Sequence, residues 1–195
     1  MNKKRLELLS DVFFVAVILS MVMHIEIPKN NDFYSLVNEA CCFTFYVLTF
    51  IFIVILWNCH YHLFQVVDNI NGKIFKINLF FIFWITIIPF SVEWMVSTNF
   101  SRNPVSIYTF ILFVCSICYK VLEKTIIRFE RKKYLTSILF NNHEKLFDSN
   151  FFYFFSFVLS WFFPKISLLF LSFIIIFLLF SCSRVEKYFN ECKSH

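Results

Sequence analysis

The chain has 195 residues, of which 59% are hydrophobic and 16% are charged, and its formal net charge is +5. Soluble domains carry about 25% charged residues and about 7% glycine, whereas this chain has a mean hydropathy of +0.70 and a single glycine, Gly72. The composition excludes a soluble domain, because so much apolar surface is not tolerated in water. It also excludes a nucleic-acid-binding protein, and the single glycine excludes any site built on a glycine-rich loop.

Six apolar stretches approach the roughly 20 helical residues that cross a bilayer core of about 30 Å. They lie at approximately 12–27, 41–58, 77–96, 104–122, 150–163 and 166–182. The runs are apolar on all sides, unlike the alternating strands of a membrane barrel. The sequence therefore predicts an all-α, polytopic membrane protein with six transmembrane helices, in which residues 1–195 form one subunit. Pro89 within the third stretch predicts a kink, which membrane helices tolerate.

The distribution of Lys and Arg predicts the orientation in the membrane. With the N-terminus inside, the inner segments hold 15 of these residues and the outer loops hold 3. This bias predicts that both termini are cytoplasmic and that the protein is a multi-pass protein of the cell inner membrane. Residues 123–148 mix apolar and basic side chains, which predicts a cytoplasmic linker that forms a helix lying against the lipid headgroups.

Residue patterns of enzymes and metal sites are missing from the sequence. His60 and His62 are two residues apart, so on a helix they point to different faces and cannot chelate one metal ion. Cys115 and Cys118 lie inside an apolar span, where small side chains in a helix face explain them better than a redox motif. We therefore expect no catalytic residues, no metal and no cofactor.

Polar residues gather at the inner ends of the first three spans. Ser10 and Asp11 open the first span, Trp57, Asn58 and His60 close the second, and Asn78 lies just inside the third. Polar groups at membrane depth are costly unless they bond one another, so these residues are expected to form a joint hydrogen-bond network. Independent anchoring at the membrane interface is the alternative interpretation.

Four short segments carry a resemblance to a known family. Residues 5–11, Arg-Leu-Glu-Leu-Leu-Ser-Asp, resemble the R-x-x-x-F-S-D signature of the transmembrane protein 175 family, the lysosomal potassium channels and their bacterial relatives. Residues 57–64 are similar to its W-x-x-H-H-x-L-F element, and residues 77–79 and 87–90 to its L-N-L and L-P-F elements. Leu9 replaces the signature Phe, and Tyr61 replaces the second His. The resemblance runs from residue 5 to about residue 90.

The resemblance implies a homotetramer in which the four first helices line a potassium-selective pore with an apolar constriction. The family's pore-facing positions fall on Ala16, Ser20 and Met23, which are spaced i, i+4, i+7 and so share one helical face. His24 falls near the outer mouth. Ala16 and Ser20 stand where bacterial relatives usually carry Ile and Leu, so the constriction is expected to be wider and wetter.

The resemblance also implies that a polar network packs the first helix against its neighbours. The members of this network in the present chain are Arg5, Ser10, Asp11, His60 and Asn78. They are expected to hold the helix upright beside the pore.

The expected function is passive conduction of potassium ions by a cation channel whose partners are its own copies and the lipid bilayer. A non-conducting relative with a structural or interaction role is one alternative, because small residues such as Ala16 and Ser20 also suit plain helix packing. A small-solute transporter or a membrane enzyme using His60 and His62 is another. That alternative needs a polar cavity within one subunit.

Overall fold

The computed structural model describes the backbone of residues 2–23, 25, 33–65, 67–130 and 150–193, and the side chains of these residues except 33–42, 130 and 180–193. Seven helices and no strand occur in this part of the chain. The helices are α1 (Lys3–Met23), α2 (Phe33–Gln65), α3 (Gly72–Thr86), α4 (Ile88–Ser97), α5 (Arg102–Glu130), α6 (Asn150–Ser160) and α7 (Pro164–Lys193). The predicted all-α architecture is confirmed.

Four helical segments of the described chain are long and apolar enough to cross a membrane. They are Lys3–Met23, Phe43–Gln65, Gly72–Ser97 and Arg102–Phe129. Two further apolar segments, Asn150–Ser160 and Pro164–Leu179, are shorter. The first of these lies within the expected span 150–163, and α7 as a whole, Pro164–Lys193, covers the expected span 166–182.

The third expected span is divided into α3 and α4, which meet at a turn at Ile87. Pro89 has no N–H group to donate back along the helix, and its ring crowds the preceding turn. The N–H of Ile87 instead donates to the carbonyl of Trp84 at 3.4 Å, which tightens the backbone at the break. At the other end, the Asn71 side chain caps α3 by accepting from the N–H groups of Lys73 and Ile74 at 2.9 and 2.8 Å. This cap fixes where α3 begins, two turns before Asn78.

Helix α5 lies at the centre of the subunit and packs against α3, α4, α6 and α7, while α1 packs against α2, α3 and α4. Two side chains of α5 also tie it to α2: the hydroxyls of Tyr108 and Thr49 lie 2.8 Å apart, and the Tyr119 hydroxyl donates to the Cys59 carbonyl at 3.1 Å. The helix continues to Glu130 and so enters the segment 123–148 that was expected to be a linker. The remainder of that segment, from 131 to 148, lies outside the described residues.

The surface of the subunit is rich in exposed aromatic side chains, as a lipid-facing surface is expected to be. The turn between α6 and α7 exposes Trp161, Phe162 and Phe163. The guanidinium of Arg102 lies 5.1 Å from the ring centroid of Trp161, a cation–π contact that joins the start of α5 to this turn. Indole rings of this kind favour the interface between lipid and water.

Candidate functional site

Helix α1 has one buried face, which packs against α2, α3 and α4, and a broad exposed surface on its other sides. Its buried residues recur every three or four positions, as expected of one helical face. They are Leu6, Ser10, Phe14, Val17 and Met21. A single polar residue, Ser10, therefore stands in an otherwise apolar contact surface, and it needs a hydrogen-bond partner there.

A chain of hydrogen bonds links Ser10 to α3 and then to α2. The Nδ2 group of Asn78 donates to the Ser10 hydroxyl at 2.9 Å, and the Oδ1 atom of Asn78 lies 2.8 Å from Nε2 of His60. Because Oδ1 can only accept, Nε2 of His60 carries the proton and donates. The Ser10 hydroxyl in turn donates to the carbonyl of Leu6 at 2.9 Å. Asn78 thus uses both ends of its amide to join three helices.

Aromatic rings surround the imidazole of His60. Its ring stacks on Phe64 with centroids 4.4 Å apart, lies nearly parallel to Phe81 at 6.0 Å, and contacts Phe14 at 5.7 Å. These rings come from all three helices that the hydrogen bonds connect. The polar chain is therefore enclosed by apolar side chains, where an unmade hydrogen bond is more costly than in water.

Asp11 and Arg5 lie apart from this buried chain. A carboxylate oxygen of Asp11 accepts a hydrogen bond from Nε1 of Trp57 at 2.9 Å, and the Trp57 ring stacks on Tyr61. This hydrogen bond is a second connection between α1 and α2, and it is more exposed than the buried chain of Ser10, Asn78 and His60. The side chain of Arg5 is exposed and takes part neither in the buried hydrogen-bond chain nor in the contact between Asp11 and Trp57.

The structure thus brings Ser10, His60 and Asn78 into direct contact and connects Asp11 to α2 through Trp57. Trp57, the leading residue of the W-x-x-H-H-x-L-F-like element, was among the polar residues expected to bond one another at the inner ends of the spans. The expected role of these residues in a channel stays a prediction.

Among the described helices, none fully covers the part of α1 that carries the three expected pore-facing residues. Ala16 is exposed, Ser20 is half-buried, and Met23 is 85% exposed. A second exposed stripe runs beside them and consists of Leu8, Val12, Val15, Leu19 and Val22. His24, expected near the outer mouth, lies outside the described residues.

We expect Trp57→Phe to weaken the tie between α1 and α2. The substitution keeps a ring that can stack on Tyr61 and removes the donor to Asp11, a loss of about 1 kcal/mol. In a chain of this size that corresponds to a fall in melting temperature of about 2–4 °C. The measurement is thermal unfolding in detergent. Trp94→Phe is the matched control, since within the described residues the Trp94 indole donates no hydrogen bond; an equal fall in both variants contradicts the prediction.

The known proteins to which this chain is similar are described as ion channels. A family model described as "Endosomal/lysosomal potassium channel TMEM175" matches residues 5–89. A potassium channel of Chryseobacterium sp. (strain P1-3) is 34% identical over 191 residues, which cover 98% of this chain and 100% of that protein. The endosomal/lysosomal proton channel TMEM175 of Mus musculus is 30% identical over 103 residues, which cover 52% of this chain and 20% of that protein.

A solved structure shares the fold. The crystal structure of a lysosomal potassium-selective channel TMEM175 homologue from Chamaesiphon minutus superposes with a TM-score of 0.72. The match covers 92% of this chain and 97% of that chain at 18% identity, so it shows a common fold. The matched family region, residues 5–89, holds α1, α3 and both ties described above.

Proposed function

Because the chain belongs to the TMEM175 family of endosomal/lysosomal potassium channels, we propose that it is a subunit of a potassium-permeable cation channel. The family consists of ion channels and is not an enzyme family. Conduction would be passive, the permeant ion would be K⁺, and no cofactor would take part. Among the described residues, no three His, Cys, Asp or Glu side chains cluster in a way that could hold a metal ion.

The observation that carries the proposal is the uncovered surface of α1. Its buried face is fully used by α2, α3 and α4, yet Met23 remains 85% exposed and Ala16 and Ser20 lie on the same side. One subunit cannot enclose a water-filled path with a single helix face. Four copies of α1 around an axis would enclose one, which supports a homotetramer with residues 1–195 as its subunit.

In the proposed mechanism, partly dehydrated cations move along the axis between the four α1 helices. Met23 supplies the long apolar side chain and lies nearest the narrowest point. Ala16 and Ser20 are smaller and more polar, and they leave a wider and wetter passage. Apolar constrictions gate by losing water, so Met23 controls conduction more strongly than the other two positions.

The buried hydrogen bonds and the Asp11 contact keep α1 at a fixed angle to the axis. Ser10 is bound by Asn78, and Asn78 by His60, so a tilt of α1 breaks bonds inside an apolar shell. Asp11 adds a bond from the neighbouring turn. Arg5, whose side chain is exposed, lies at the beginning of the same helix, where it can contact a neighbouring copy or the lipid headgroups.

The proposed orientation places both termini in the cytoplasm. The excess of Lys and Arg on the inner side supports it. The full-length relative is bacterial, which supports the cell inner membrane as the location of a multi-pass protein.

Potassium flux into liposomes tests the function. We expect the purified protein to carry K⁺ without saturation, and we expect Met23→Asn to raise the flux roughly tenfold, because a polar collar stays wet and each 1.4 kcal/mol in barrier height changes the rate tenfold. Absence of flux at any pH would favour the structural role instead. Saturable exchange of an organic solute would favour the transporter. Subunit stoichiometry in detergent provides the control, since a monomer or a dimer contradicts the four-helix pore.

A further inference from the structure

A cavity of about 630 Å³ opens between the first turns of α1 and the last turns of α2. Helix α1 contributes charged side chains to its wall, and α2 contributes mainly aromatic ones. The lining includes Lys3, Lys4, Glu7 and Asp11 from α1 and Tyr61 and Phe64 from α2. This lining differs from the rest of the described surface of α1, which is apolar from Val12 to Val15.

The charges in the cavity are not fully matched with one another. Lys3 and Glu7 form an ion pair with 3.7 Å between Nζ and Oε1. Among the described residues, Lys4 has no ion pair. Among the same residues, the only hydrogen-bond partner of the Asp11 carboxylate is the neutral Trp57 indole. The cavity therefore presents one unmatched cation and one unmatched anion.

These two charges lie on one face of α1. Lys4 and Asp11 are seven residues apart, which is two helical turns or about 10 Å between their Cα atoms. An extended Lys side chain bridges much of this distance. A ligand that carries an anion and a cation a few ångströms apart therefore fits between the two side chains, with its anion next to Lys4 and its cation next to Asp11.

The cavity lies where α1 and α2 reach the edge of the membrane. Trp57 and Tyr61, which are exposed at this end of α2, are residues that favour the headgroup region. Lys73 and Lys76 at the start of α3 are exposed at the same end. Leu8, in the cavity wall, continues into the exposed apolar stripe of Val12 and Val15 on α1.

We propose that this cavity binds the headgroup of phosphatidylethanolamine, in addition to any role of α1 in conduction. The lipid phosphate contacts Lys4, the ammonium donates to the carboxylate of Asp11, and an acyl chain follows the stripe of Leu8, Val12 and Val15. A choline headgroup has no N–H to donate to a carboxylate, and a glycerol headgroup has no cation. The site therefore selects an ethanolamine lipid over both.

Native mass spectrometry tests the proposal without any measurement of flux. The full-length protein is released from vesicles that contain equal amounts of phosphatidylethanolamine, phosphatidylglycerol and phosphatidylcholine with identical acyl chains. We expect the retained lipid to be phosphatidylethanolamine by about tenfold over each of the others, because the charge-assisted hydrogen bond from its ammonium to Asp11 is one that the other two headgroups cannot make.

Two variants and one control identify the site. Lys4→Gln removes the phosphate partner, and Asp11→Asn removes the carboxylate charge while keeping an oxygen for the Trp57 indole. Because all three lipids carry a phosphate, Lys4→Gln is expected to lower the total lipid retained, whereas Asp11→Asn is expected to reduce the preference to about twofold or less. Lys73→Gln removes an exposed Lys at the same end, outside the cavity, and is expected to leave both the retention and the preference unchanged. Because the Lys4 side chain is exposed, its variant reports binding even if Asp11→Asn folds poorly.

Several outcomes would overturn the proposal. Equal retention of the ethanolamine and choline lipids would show that the carboxylate does not select the ammonium. Preferential retention of phosphatidylglycerol, or an equal effect of Lys73→Gln, would reduce the site to general attraction by basic residues. Retention of no lipid by a stable oligomer would indicate that a neighbouring copy fills the cavity.

Discussion

Asn78→Leu is expected to lower the free energy of unfolding by about 2–3 kcal/mol. The amide of Asn78 makes two hydrogen bonds between helices, which in membranes are worth about 0.6 to 1.7 kcal/mol each. The leucine would also leave the Nε2–H group of His60 without an acceptor inside a shell of aromatic rings, at a further cost of about 1 kcal/mol or more. The measurement is thermal unfolding in detergent, with an expected fall in melting temperature of about 5–10 °C.

A double-mutant cycle distinguishes this network from a general packing effect. Ser10→Ala removes one of the two Asn78 partners, and the double variant with Asn78→Leu should cost less than the sum of the single variants by at least about 0.5 kcal/mol. Ser172→Ala is the matched control, since within the described part of the chain the Ser172 hydroxyl bonds only the Leu168 carbonyl of its own helix. Additive costs, or an equal loss in the control, would mean that the chain of bonds does not tie α1 in place.

The sequence predicts that Ser10, His60 and Asn78 lie close together, because all three occur at corresponding positions of neighbouring spans. Ser10, His60 and Asn78 lie near the same end of three consecutive apolar segments, and antiparallel connections bring such ends to one depth in the membrane. The cost of an unpaired polar group then predicts that they bond one another. The order of the bonds could not be predicted, because it depends on which side each helix turns toward its neighbours.

The contact between Asp11 and Trp57 shows the limit of the same reasoning. A hydrogen bond from an indole on one helix to a carboxylate on another depends on the rotation of both helices, and no spacing within either segment fixes that rotation. The exposed position of Arg5 is also set by the rotation of its helix. Arg5 precedes Ser10 by five residues, which places the two side chains on different faces of α1.

One helix boundary could be predicted from the sequence, and another could not. Pro89 predicts a break in the third apolar stretch because proline removes a donor, and the turn at Ile87 lies two residues before it. The residues after 122 were expected to form a separate helix, because basic residues there mark the end of the apolar run, whereas α5 continues through them to Glu130. An α-helix satisfies its own backbone groups and can continue into the headgroup region, so hydropathy alone underestimates its length.

The exposed surface of α1 contains two adjacent faces, and only one of them can line a pore. Met23 is 85% exposed and Val22 is 59% exposed. They differ in depth by about 1.5 Å but in direction by about 100°. Ala16 and Ser20 lie on the side of Met23, while Val12, Val15 and Leu19 lie on the side of Val22. A charge placed at each position in turn therefore identifies the pore-facing side.

Met23→Arg is expected to abolish potassium flux, with a loss of at least about a hundredfold. In a four-fold assembly it places four guanidinium groups around the axis, and a ring of positive charge excludes cations from a narrow pore. Val22→Arg introduces the same charge at nearly the same depth on the neighbouring face, where the long side chain can reach the headgroups. Val22→Arg is expected to keep its flux within about threefold of the parent, provided that size-exclusion chromatography shows an intact oligomer for both variants. If instead Val22→Arg blocks the flux and Met23→Arg does not, the pore is lined by the stripe of Val12, Val15 and Leu19, and the assignment of Ala16, Ser20 and Met23 is wrong.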